Sequence, residues 1–260
     1  LIRDYERFAK EANEICKGRV YTDHLRRYAY GVDASCYSYL PKVVVKAEDE
    51  REVRRLIRLC QQCGTPFTFR AAGSSLSGQC SSEDVLIVCN DGFKKMEVID
   101  DGKALKCECG VIGSDANDLL KPYNRKIGPD PATLATALVG GILNNNSSGM
   151  CCGTAQNSYK TIRSIRVVLL DGSILDTSDQ KSIDQFLKEK PQMVEDILQL
   201  RKDILADEEL THLIHHKYKI KNTTGYGLNS LVDFEDIIDI INHLFIGSEG
   251  TLGFVSEIVY

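Results

Sequence analysis

The stretch RAAGSSLSGQC, residues 70–80, follows directly on the apolar PFTF and limits the fold more than any other part of the chain. Seven of the nine residues from Ala71 to Gln79 are Gly, Ala or Ser. A strand that runs straight into so side-chain-poor a loop is either a slack connection or a place where something comes close to the main chain. Small residues let a ligand reach the backbone, and successive N–H groups form an anion-binding nest. The hydroxyls of Ser74, Ser75 and Ser77 add donors. The loop is not a Walker A motif, since no G-K-[ST] follows it, and the dinucleotide fingerprint G-x-G-x-x-G occurs nowhere in the chain.

Two further loops sharpen the reading. GPDPATLATALVGGILNNNSSGMCCGT has an entrance stiffened by Pro129 and Pro131, then Gly140 and Gly141, then Asn144, Asn145, Asn146, Ser147, Ser148 and Gly149 in one run. Amides that both donate and accept suit a nucleotide or an isoalloxazine ring, whereas an ordinary Asn-rich turn needs one or two such residues. GSEGTLGF, residues 247–254, repeats the pattern before a strand. Three such loops point to a large, extended, phosphate-bearing ligand.

Between the loops, PKVVVKA reads as a strand, EDEREVRRLIRLCQQCG as a helix with an acidic first turn and a glycine end, and PFTFR and VLIVC as strands. That order predicts a small parallel α/β unit. Beyond it, KKMEVID, KALKCECGV and IRSIRVVLLDGSILDT read as strands, the last a hairpin about Asp171 and Gly172. Short helical patterns fall at about 114–121 and 132–139, and a helical one, FEDIIDIINHL, precedes the third loop. The fold class is α+β. An amino-terminal helix over 1–19, patterned on Ile2, Tyr5, Phe8, Ala9, Ala12 and Ile15, precedes a subdomain over 20–90. A mostly antiparallel second subdomain follows over 91–260, with a helical excursion at about 180–216.

The net charge of −5 gives no reason to expect a nucleic-acid surface, and no apolar run has the ~20 residues of a membrane span. The opening LIRDYERFAKE does not resemble a signal peptide. The chain starts with Leu and stops inside a strand-like stretch, so it reads as a piece of a longer polypeptide. Ten cysteines look reduced, and a cytoplasmic location fits them. Cys107 and Cys109 alternate with charges and should share one strand face as small apolar residues. Cys60 and Cys63 lack the second pair of a zinc ribbon. His212, His215 and His216 have helical spacing that reads as the polar face of a surface helix, and no metal site is expected.

The motifs, taken together and in order, resemble the FAD-binding (PCMH-type) domain of the vanillyl-alcohol oxidase/p-cresol methylhydroxylase superfamily, in the branch of the D-lactate dehydrogenases and glycolate oxidases. The landmarks are PKVVVKAEDEREVRRLI, FRAAGSSLSGQ, GPDPATLATALVGGILNNNSSG, VVLLDGSILDT, KNTTGYGL and IGSEGTLGF, which span roughly residues 20–260. The NNNSSGMCCGT form is most similar to members fused to an iron–sulfur domain. The resemblance implies that Ala71, Ala72, Gly73, Ser74, Ser75, Leu76 and Gly78 wrap the FAD pyrophosphate. Gly140, Gly141, Asn145, Asn146, Ser148 and Gly149 would lie along the flavin and ribityl chain, with Pro129 and Thr136 in the same cofactor set. Gly250, Thr251 and Gly253 would close the other side, and NTTGY (222–226) would sit on the substrate side.

It further implies oxidation of a small 2-hydroxy acid to the 2-oxo acid, with hydride passing to flavin N5. FAD should be dissociable, because the first loop has no His for a covalent link. The catalytic groups would lie in a cap domain outside this chain, which alone should turn over poorly or not at all. The electron acceptor stays open between an iron–sulfur domain, with its cluster elsewhere in the full-length protein, and a quinone reached through peripheral membrane association. Two other readings stay open, a non-catalytic electron-relay module and a reductase of the UDP-N-acetylenolpyruvoylglucosamine type. Where the family commonly has Arg-Tyr-Gly, this chain has CCGTAQNSY, with Cys151 and Cys152 either under the flavin or simply packed. A leucine in place of Gly73 or Gly78 should block the pyrophosphate and abolish FAD binding. Unchanged affinity in a fluorescence titration would make the first loop a mere connection.

Overall fold

Apolar residues recurring at helical spacing from Tyr5 build α1 (Tyr5–Ile15), whose first turn is capped by the Asp4 carboxylate accepting from the Arg7 amide at 3.0 Å. The computed structural model describes residues 3–223 and 225–260. Ile2 of the amino-terminal pattern and Thr224 of the 222–226 stretch therefore lie outside the described residues. Next come β1 (Val20–Tyr21), α2 (His24–Ala29), β2 (Val43–Lys46), α3 (Glu50–Cys63), β3 (Phe67–Arg70) and β4 (Val85–Val88). Asp49 caps α3 through the Glu52 amide at 2.8 Å, and Gly64 ends it at φ 64°, where a side chain would be strained.

The first sheet has the order β1-β2-β4-β3. β2, β4 and β3 run parallel, with Val43 and Phe67 both in register with Val85, and β1 joins antiparallel. Parallel strands need both faces covered. Helices α1 and α3 cover Val43, Val45, Val85 and Ile87 on one side, and Tyr21 and Tyr30 pack against Val44, Leu86 and Val88 on the other.

The second subdomain begins with β5 (Met96–Ile99), β6 (Ala104–Glu108), α4 (Gly113–Leu120), α5 (Val139–Asn145), α6 (Ser158–Thr161), β7 (Ser164–Leu169) and β8 (Ile174–Asp176). The helices α7 (Gln180–Glu189), α8 (Pro191–Ala206), α9 (Glu208–Lys217), α10 (Ser230–Asp233) and α11 (Ile237–Leu244) then lead to β9 (Gly253–Val259). These strands form a five-stranded sheet, β5-β6-β9-β7-β8, antiparallel throughout. The β7–β8 hairpin turns at Asp171 and Gly172, the latter at φ 79°. None of the helices among the described residues is long and apolar enough to cross a membrane. His212, His215 and His216 are exposed on α9.

Two local expectations are corrected. Residues 132–139 do not form a helix. After Pro131 the chain makes successive turns, with the Leu134 amide donating to the Pro131 carbonyl at 2.9 Å, and α5 starts only at Val139. Nor do Cys107 and Cys109 share a face. The strand ends at Glu108, so alternation stops there; Cys107 packs within the second sheet's core, and Cys109 packs with Val168 and Phe254 in the core between the sheets. All ten cysteines are free, and Cys60 and Cys63 are buried in that same inter-sheet core.

The sheets are joined along α3. Glu50 accepts from Arg166 Nε at 2.8 Å and Nη2 at 3.1 Å, and from the Ser256 hydroxyl at 2.8 Å. Arg54 Nε donates to the Gly172 carbonyl at 2.9 Å. At the other end of the seam the Phe254 ring meets Phe69 and Phe93 at centroid distances of 5.0 and 5.2 Å. Burial pushes the Glu50 carboxyl up, but the hydrogen bonds from Arg166 and Ser256 outweigh it and hold the group below its ordinary value. Glu50→Ala should cost about 1–3 kcal/mol in urea unfolding, less than a fully buried pair because the joint is partly exposed. A carboxyl lowered in the folded state stabilises above its unfolded value of about 4.3 and stops doing so as pH falls through the folded one. The gap between wild type and Glu50→Ala should therefore narrow below about pH 4. A gap that is constant with pH would mean the pair contributes only packing.

Candidate functional site

Loop one leaves β3 at the carboxyl end of the parallel strands, where open α/β sheets leave a crevice for ligands. Its shape is set from beneath by Arg70, which donates to the carbonyls of Tyr30 at 2.9 Å and Val32 at 2.7 Å. Gly73 and Gly78 turn the loop at φ 77° and 78°. A Cβ at Gly73 would run into the Arg70 guanidinium, and one at Gly78 would come within 2.7 Å of the Tyr37 ring. The loop's internal brace is the Ser75 hydroxyl donating to the Gln79 side-chain carbonyl.

In loop two the glycine pair divides its work. The Gly140 amide donates to the Cys109 carbonyl at 2.9 Å, and a Cβ there would lie 2.7 Å from Cys109 Cβ, so this glycine lets α5 close on the second sheet. Gly141 instead faces loop one, where an added Cβ would meet only Ala71 Cβ, at 3.3 Å. The three asparagines also differ. Asn144 Nδ2 bonds back to the Gly140 carbonyl at 2.8 Å, and Asn145 Nδ2 reaches Glu249 Oε1 at 2.6 Å. Asn146 ends α5 in the left-handed region and donates to the Asn222 carbonyl at 3.3 Å. Gly149 and Cys152 both donate backbone N–H groups to Asp130 Oδ1, at 2.9 and 3.2 Å.

Loop three docks on the end of α5. The Glu249 amide donates to the Asn144 carbonyl at 2.9 Å, and the Ser248 hydroxyl donates to Asn144 Oδ1 at 3.2 Å. Gly250 has φ 76° and Gly253 φ 155°.

The loops line one cleft of about 580 Å³, inside the ~300–1,000 Å³ typical of small-molecule sites. Of the residues singled out from sequence, Ala71, Ala72, Gly73, Ser74, Ser75 and Leu76 line it from loop one. Gly140, Gly141, Asn145 and Ser148 line it from loop two, and Gly250 and Gly253 from loop three. Gly78, Pro129, Thr136, Gly149 and Thr251 do not reach its wall. Asn146 lines instead a second, polar cavity of about 270 Å³ beside Tyr159, Asn229 and Asp233. Of the 222–226 stretch, Thr223 lines the cleft, while Asn222 and Gly225 line the cavity. Cys151 is exposed, Cys152 is buried with its thiol near the carbonyls of Gly149 and Gly153, and neither lines the cleft.

Among the wall residues that the sequence reading passed over are Arg70, Gln79, Lys221 and Glu249. Arg70 and Lys221 are the cations among the described lining residues, and Glu249 is the anion. Lys221 Nζ donates to the Ser148 carbonyl, while the buried Ser148 hydroxyl has no hydrogen-bond partner among the described residues. An orphaned hydroxyl, an open glycine face and a net positive lining fit a phosphate-bearing ligand such as FAD.

A family model described as "FAD binding domain" matches residues 41–178. D-2-hydroxyglutarate dehydrogenase of Pantoea ananatis (strain AJ13355) is 26% identical, over 92% of this chain and 24% of its own length. Glycolate oxidase subunit GlcD of Bacillus subtilis (strain 168) is 24% identical, over 90% of this chain and 39% of its own. The chain thus spans about a quarter of the length of the D-2-hydroxyglutarate dehydrogenases that it matches. An alkyldihydroxyacetonephosphate synthase structure superposes over 99% of this chain and 40% of its own with a TM-score of 0.65 at 18% identity, a likeness of fold.

Gly141→Leu is a cleaner probe of the cleft than changes at Gly73 or Gly78, which strain loop one itself. Gly141 is helical, and the one close neighbour of an added Cβ is Ala71 Cβ of loop one, at 3.3 Å. That neighbour need give only slightly for a leucine side chain to fill the cleft. The variant should melt within a few degrees of wild type and lose FAD binding in a fluorescence titration. Full affinity would place the cofactor elsewhere.

Proposed function

Because the chain belongs to the FAD binding domain family, we propose that its cleft holds FAD for the oxidation of a small 2-hydroxy acid to the 2-oxo acid. The observation that supports this most strongly is the convergence of three loops, far apart in sequence, on one cleft whose described lining carries two cations and a single carboxylate. Relatives named for D-2-hydroxyglutarate, glycolate and D-lactate share one reacting unit, a hydroxyl on the carbon next to a carboxylate. Bound FAD supplies the hydride acceptor for that carbon. The chain's own residues supply position and charge. The main chain of Ala71 to Ser75 offers close approach for the pyrophosphate, with Arg70 and Lys221 offsetting its charge. The Ser148 hydroxyl, without a partner among the described residues, can satisfy a polar atom of the cofactor, and Gly141 leaves room for it.

The test is spectroscopic. The polypeptide carrying this domain, mixed with FAD and desalted, should keep a structured visible flavin band. Without oxygen, at least one of D-2-hydroxyglutarate, glycolate and D-lactate should bleach it, while a des-hydroxy analogue such as glutarate leaves it intact. A band bleached by NADPH and by none of these acids would turn the assignment towards a reductase.

A further inference from the structure

Glu249 sits where the three loops meet. Its Oε1 accepts from Asn145 Nδ2 of loop two at 2.6 Å and from Gln79 Nε2 of loop one at 3.2 Å. Each partner is itself held, Gln79 by the Ser75 hydroxyl and Asn145 by the Ser147 hydroxyl, which donates to its Oδ1 at 2.7 Å. The backbone of Glu249 is in the left-handed region at φ 54°, a conformation that a non-glycine residue keeps only where its surroundings impose it. A structural turn there would favour glycine, so the side chain is the reason for this residue.

Its charge is out of place in a cleft for an anion. Burial raises the Glu249 carboxyl above its ordinary value, and the two amide hydrogen bonds offset this only in part. The other charged and titratable groups on the cleft wall are engaged or neutral. Arg70 is held by the carbonyls of Tyr30 and Val32, and Lys221 by that of Ser148. The Cys80 thiol is pushed up to about 11 by burial, and those of Cys89 and Cys109 higher still. Among the described lining residues Glu249 is the one carboxyl, and burial raises it while it faces the same space as the anion.

We propose that Glu249 is a positioning residue that ties the three loops together, and that FAD binds with this carboxyl neutral, one proton being taken from solvent as the cofactor enters. As a carboxylic acid it still accepts both amides at Oε1, while Oε2–H becomes a donor in place of a second negative oxygen. The proposal rests on FAD occupying the cleft.

The experiment measures FAD dissociation constants from about pH 5 to about pH 8 for wild type, Glu249→Gln and Glu249→Ala, with thermal melting of each protein as a control. Wild-type affinity should fall with rising pH, towards about tenfold per pH unit once the free carboxyl ionises. Glu249→Gln, neutral and still able to accept both amides, should bind about equally across the range and more tightly than wild type at the alkaline end. Glu249→Ala should bind about tenfold more weakly than Glu249→Gln, because two half-buried amides lose their acceptor. A wild-type constant independent of pH, or Glu249→Gln no better than Glu249→Ala, overturns the proposal. If Glu249→Ala does not fold, the wild-type and Glu249→Gln profiles still decide. Wild type that binds no FAD at any pH would instead overturn the cofactor reading, and this proposal with it.

Discussion

The cleft exists because two sheets of opposite construction are held at a fixed distance along one helix. Loop one belongs to the parallel sheet, while loops two and three belong to the antiparallel one, so their relative placement is set by the seam along α3. The two ends of that seam work differently. The forked contact of Arg166 with Glu50, extended to Ser256, is directional and fixes how one sheet is rotated against the other. The packing of Phe69, Phe93 and Phe254 is non-directional and supplies burial. Phe69 and Phe254 also line the cleft, so the apolar part of the seam is at the same time part of the site's wall.

The polar groups of the site are held in place by the protein's own main chain. Arg70 is pinned by two carbonyls and Lys221 by one, so little side-chain freedom remains to be lost on binding. Neighbouring residues of one type serve different ends. Gly140 permits packing against Cys109, whereas Gly141 leaves space for a ligand; Asn144 braces its own helix, Asn145 reaches across to loop three, and Asn146 turns the chain out of α5.

What the sequence revealed was whatever is decided locally. The capped, amphipathic α3, the Val-rich parallel strands and the Asp171–Gly172 hairpin follow from spacing, caps and turn residues within a few positions. The loops were visible as runs of small and amide residues. Hidden features were those decided at a distance. Glu249 gains its meaning from Gln79 and Asn145, which lie 170 and 104 positions earlier. Arg70 looked like the last residue of a strand, and Lys221 was only the first residue of the KNTTGYGL landmark. The helix expected at 132–139 was displaced because the backbone after Pro131 is committed to turns, and Cys109 left its expected face because β6 ends one residue earlier.

The position of β9 has a consequence for the order in which this domain becomes competent. It is last in sequence among the described strands, yet it lies in the middle of its sheet, bonded to β6 on one side and β7 on the other. Until it inserts, β6 and β7 have no shared neighbour, loop three is not anchored, and Phe254 is absent from the seam. A nascent chain therefore carries the first loop, and the first parallel sheet, long before it can carry a binding site. Assembly of that site is a late, non-local event of the kind that folds slowly and leaves strand edges exposed in the meantime.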